Sequence, residues 1–155
     1  MTSMEQLQDI VSGMKKRCRS INSQVKHTEK LIHERKELVT QSENYLKYRP
    51  TYKEYKQTKP RKRDDYYNQH TTALVLYQTA ERYLKEHLGE NTALYPVQWK
   101  EEAVELTLQK KKLYHELCGL RAEVQEAEAV KQCVEQMLEL QMRRREKVRT
   151  GDVSL

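Results

Sequence analysis

Apolar side chains recur every seven residues from Met4 through Val11, Cys18, Val25, Ile32 and Val39 to Leu46. A second row, offset by three, runs Leu7, Met14 and Ile21 and then turns polar at Thr28, Arg35 and Ser42. Two such rows are the seam of a coiled coil, so the spacing predicts a long helix over about residues 4–47. At about 1.5 Å per residue that helix is about 66 Å long, more than the width of a compact domain of this size, and the pattern predicts an elongated molecule. The polar turn of the second row predicts that the seam frays or changes partner after Thr28.

Arg49-Pro50 ends this helix in the sequence reading, because a residue before proline is pushed out of the α region. Thr51 then caps one short turn carrying Tyr52 and Tyr55, and Lys59-Pro60 interrupts again, so residues 48–63 are expected to form an elbow. Asp64 and Asp65 suit a helix start. Tyr66, His70, Ala73, Tyr77, Ala80, Leu84 and Leu88 recur at alternating fours and threes, which predicts a middle helix over 64–88 with Gly89 just past its end. His70 lies on this apolar row and is expected to pack as a hydrogen-bonded core residue. Pro96 stands where a first-turn proline would, and Trp99, Ala103, Leu106, Leu113, Leu117, Leu120, Val124, Ala127, Val134 and Leu138 carry a third helix over 96–147, leaving 148–155 as a flexible tail. No segment has a strand period. The predicted fold is all-α, a single helical domain over 1–155. It is an elongated antiparallel three-helix arrangement with two long coiled-coil-like helices and one shorter middle helix.

Composition narrows the functional classes. The chain has 155 residues, 37% apolar and 34% charged, with no Phe and one Trp, too polar for the thick core of a compact enzyme. The apolar runs are too short for a membrane span or a signal peptide, so no membrane is expected and the location is read as cytoplasmic. Cys18, Cys118 and Cys133 are odd in number and widely spaced, with no zinc-type pairing, and are expected to be reduced, semi-buried packing residues. His27, His33, His70, His87 and His115 form no HExxH or HxH cluster, and no phosphate loop or nucleophile motif occurs. Neither a metal, a cofactor nor a catalytic residue is predicted.

Net charge changes the picture most. The total is +6, yet Lys47 to Arg63 alone holds eight basic residues and one acid. Six of the ten tyrosines lie between residues 45 and 67. Cations attract phosphates without regard to sequence, and tyrosine rings offer faces for unpaired bases. The candidate nucleic-acid-binding residues, which the resemblance described below assigns to DNA, are therefore Lys47, Arg49, Tyr52, Lys53, Tyr55, Lys56, Lys59, Arg61, Lys62 and Arg63. The alternative is that the tyrosines plug a helix junction and the lysines only solvate it. Arg143, Arg144, Arg145, Lys147 and Arg149 form a second candidate phosphate patch, equally explained by cations favouring a helix C-terminus.

The order of motifs resembles the C-terminal, non-catalytic helical region of relaxases, the mobilization nucleases of Gram-positive conjugative and mobilizable elements. The parts are Tyr52 and Tyr55; Tyr66-Tyr67-Asn68-Gln69-His70; Lys111-Lys112-Leu113-Tyr114; and Val130-Lys131-Gln132-Cys133-Val134 with Met137-Leu138. Thr71 and Thr72 depart from the basic-acidic pair usual after that histidine, and Cys118-Gly119 interrupts a normally charged helix. The resemblance implies a helical module of a conjugative DNA-transfer relaxase that contacts DNA, single-stranded or duplex, and relaxosome or transfer proteins. It carries over no catalytic residue, since cleavage in the family belongs to an N-terminal domain. The alternative function is a coiled-coil structural protein that pairs with itself as a homodimer, or with another protein, without binding DNA.

Overall fold

A computed structural model describes residues 3–89 and 93–149. They form four helices, α1 (Ser3–Gln57), α2 (Arg63–Gln69), α3 (Thr71–Leu88) and α4 (Pro96–Arg149), with no strand among the described residues. The fold is all-α, with two long helices and shorter ones between them. Of the predicted tail, residues 150–155 lie outside the described residues, while Val148 and Arg149 belong to α4.

The chain's contacts divide it into two compact units, Met1–His27 with Lys110–Leu155, and Thr28–Gln109. In the first, Ile21 and Val25 of α1 bury against Leu117 of α4, with Cys18, Leu113 and Leu120 alongside. Further along, Lys15 pairs with Glu128 at 2.6 Å, so later residues of α4 meet earlier residues of α1 and the two segments run antiparallel. In the second unit, Leu38, Val39, Leu84 and Trp99 form a core flanked by Tyr45, Tyr83, Leu88 and Leu94. Arg35 to Glu102 and Lys100 to Glu43, each 2.7 Å, fix the same antiparallel sense there.

The seam of α1 does not fray at its polar row. Thr28 and Ser42 are buried and Arg35 is spent on Glu102, so these positions still face neighbouring helices. Small polar side chains there bring helices close without filling a layer.

Two boundaries differ from the sequence reading. The expected elbow over 48–63 is instead the last turns of α1, a turn at 58–62 and the first residue of α2. Pro50 lies inside α1, where a lost donor and ring crowding cost about 3 kcal/mol. Packing offsets that cost. Tyr77 of α3 is buried and stacks on Tyr45 at 5.1 Å and on Tyr52 at 4.4 Å between ring centroids. Tyr45 and Tyr52 are two helical turns apart, bracket Pro50 and share one face. Such ring pairs contribute about 0.5–1.5 kcal/mol each beyond the area they bury. The middle helix breaks once, at His70 (φ -121°, ψ 27°). The His70 amide still donates to the carbonyls of Tyr66 and Tyr67, but Thr71 Oγ1 donates to those of Tyr67 (2.7 Å) and Asn68 (3.3 Å), a side-chain alternative to the backbone bonds of a continuing helix. His70 is thus exposed with its ring against Tyr66, not a core residue. Of the cysteines, Cys18 packs as expected, while Cys118 and Cys133 are exposed.

The other ends follow their signals. Gly89 closes α3 at φ 66°, its amide donating to the Lys85 carbonyl. Pro96 opens α4, with the Trp99 amide donating to the Tyr95 carbonyl.

Candidate nucleic-acid interface

The basic stretch sits on the second unit, at the end of α1 and in the turn after it. At 100° per residue, Tyr45, Tyr48, Tyr52 and Tyr55 fall on one face of α1, and Arg49, Lys53 and Lys56 on the adjoining one. Lys47 lies on a different side. Lys59, Arg61 and Lys62 follow on the turn.

The tyrosine face is turned inward. Tyr55 meets Tyr52, Tyr66 and Tyr67 at centroid distances of 6.4, 6.3 and 6.1 Å, and Tyr52 stacks on Tyr77. Both candidate rings, Tyr52 and Tyr55, are therefore half-buried and engaged with other rings. The Tyr66 hydroxyl donates to Glu54 Oε2 at 2.8 Å and reaches the Thr51 carbonyl at 3.3 Å, tying α2 back to α1. Desolvation first, and then the Glu54 carboxylate, raise the Tyr66 phenol above its ordinary value. Glu54, the only acid between Lys47 and Arg63, is exposed, and its carboxylate accepts from the Tyr66 hydroxyl.

The cations are turned outward. Lys47, Arg49, Lys53, Lys56, Lys59, Arg61, Lys62 and Arg63 are all exposed. Three lie near aromatic faces, Lys47 at 5.2 Å from the Tyr48 ring, Arg49 at 5.9 Å from Tyr45 and Lys56 at 5.5 Å from Tyr52. These contacts set the charged groups beside ring faces while the side chains stay exposed.

Arg63 has a second task that its sequence position did not reveal. Its Nε donates to the Thr58 carbonyl at 3.0 Å and its Nη2 to the Lys56 carbonyl at 3.2 Å, while Thr58 Oγ1 donates to the Glu54 carbonyl at 2.6 Å. Arg63 thus satisfies the Lys56 carbonyl, which the end of α1 would leave unpaired, and ties the turn at Thr58 back to the helix. Asp64 and Asp65 follow in the first turn of α2. Arg143, Arg144 and Arg145 are exposed on α4 in the other unit.

No group of three or more His, Cys, Asp or Glu suited to a metal occurs among the described residues. No helix among them is long and apolar enough to cross a membrane. The chain matches no known family model, no curated protein and no solved structure.

Proposed function

We propose that this chain is a cytoplasmic helical module that grips the phosphate backbone of DNA with the end of α1 and the turn that follows. In keeping with its motif order, it would serve as a non-catalytic region of a conjugative relaxase, working beside other transfer proteins. One observation carries the reading. All eight cations of a seventeen-residue stretch are exposed, while the one acid among them is engaged by Tyr66. Because Tyr52 and Tyr55 are packed against other rings, the contacts assigned to this surface are electrostatic ones to phosphates, and duplex suits them as well as single strands do.

Binding of a short duplex and of a single-stranded oligonucleotide across a salt series tests this. If about six phosphates are neutralised, log K for the duplex should fall with log salt at a slope of about -5. Lys53→Glu, Lys56→Glu and Arg61→Glu combined should flatten that slope to about -3. Arg63 is left intact because it also caps α1. A slope unchanged by the triple reversal overturns the assignment of this surface. No binding to either strand form at low salt overturns DNA binding altogether and favours the coiled-coil interaction protein.

A further inference from the structure

The end of α4 carries a second apolar seam that α1 does not cover. The half-buried residues Val124, Ala127, Glu128, Lys131 and Val134 mark the side of α4 turned to α1, continuing the row of Leu113, Leu117 and Leu120. On the far side, Val130, Cys133, Met137 and Leu140 recur at three, four and three, and at 100° per residue they span one narrow stripe. Val130 is 51% exposed, Met137 62% and Leu140 59%, and Cys133 is exposed. Such a stripe on a helix already paired on its other side is the pattern of a helix with two partners.

The stripe's charged ends identify the second partner. Continued toward the N-terminus, the same heptad positions hold Glu126 and Glu123; continued toward the C-terminus, they hold Arg144 and Lys147. We infer that this stripe pairs antiparallel with the same stripe of a second copy of the chain, about a two-fold axis near Glu135. In that register Cys133 stands opposite Met137 of the second copy, Val130 opposite Leu140, and Glu126 opposite Arg144, with Glu123 and Lys147 one layer further out. Each pairing joins a first-position residue of one heptad to a fourth-position residue of the other, as antiparallel coiled-coil layers require, and the symmetry makes each occur twice. A parallel, in-register pair would instead set Glu126 against Glu126 and Arg144 against Arg144 in the seam. Two copies of this end of α4, each carrying its α1 segment, make a local four-helix bundle.

This pairing is independent of DNA, and its test uses the protein alone. Sedimentation of the full chain from micromolar to millimolar concentration should show a monomer–dimer equilibrium. Glu126→Arg alone and Arg144→Glu alone should each raise the dissociation constant about tenfold or more, by setting like charges opposite in two symmetric layers. The double swap, Glu126→Arg with Arg144→Glu, should restore it to within about threefold of the original, because the pair is reversed and not lost. Met137→Glu should abolish the dimer. Glu126, Met137 and Arg144 are all exposed, so the variants should keep the parent's helical circular dichroism. A monomer at every concentration overturns the inference. A dimer that the single swaps leave unchanged, or that the double swap fails to rescue, overturns the antiparallel register.

Discussion

Ser42 is fully buried in the second unit, and its Oγ has no hydrogen-bond partner among the described residues. A buried, unpaired hydroxyl loses its hydration without replacement, so Ser42→Ala should leave the melting temperature unchanged or raise it, by up to about 1 kcal/mol of stability. Ser42→Leu should cost about 1–3 kcal/mol, since an added branched side chain overfills a close helix contact. A loss of stability in the alanine variant would show that the hydroxyl is bonded after all. Tyr77 offers a second residue-scale measurement. Burial, and then the Tyr45 hydroxyl, raise its phenol above the ordinary 10.0. The folded state therefore holds that proton more tightly than the unfolded one, and its contribution is full below about pH 10 and lost as pH climbs further. Tyr77→Phe should move the alkaline loss of helical signal to higher pH; a midpoint left in place would mean that another group governs it. Both residues lie on rows the sequence displays, but only Tyr77 was legible as core. Ser42 looked like the end of a seam, because a polar letter does not tell a closely packed layer from a frayed one.

At the scale of elements, hydrophobic period located the long helices and the signals at Gly89 and Pro96 located two of their ends. The misplaced boundaries, at Pro50 and His70, are ones where tertiary or side-chain contacts override a local rule. The grip of Tyr45 and Tyr52 on Tyr77 is a contact across more than twenty residues, and local propensity cannot encode it. The same contact explains why the candidate interface was only half legible: charge placed its cations correctly on a surface, while the inward turn of the tyrosines depends on a helix that continues through a proline. The glycines test how far local rules do hold. Gly89 has a positive φ of 66° with open space around it, so Gly89→Ala should cost about 1–3 kcal/mol through backbone strain alone. Gly119 lies within α4 with nothing within 4 Å of an added Cβ, so Gly119→Ala should raise stability by about 0.5–1 kcal/mol. Thermal or denaturant unfolding of the two variants should give shifts of opposite sign, and shifts of the same sign would refute the account of Gly89.

For the whole molecule, a net charge of +6 hides two unlike surfaces in different units. The end of α1 is predominantly basic and suits a polyanion, whereas the end of α4 runs from acidic to basic along one stripe and suits its own reverse. Hydrogen exchange can separate them in one protein. Saturating duplex oligonucleotide at low salt should slow exchange over 45–69, since a ligand held at about one hundred times its dissociation constant adds about 2.7 kcal/mol to the state that binds it. Dilution below the dimer's dissociation constant should speed exchange over 126–144 and leave 45–69 unchanged. The triple reversal at Lys53, Lys56 and Arg61 should remove only the first response, and Arg144→Glu only the second. Duplex protection centred on 143–149 in place of 45–69 would move the phosphate contacts to the arginine run of α4. The dimer would then have to compete with DNA for Arg144, and adding duplex should dissociate it.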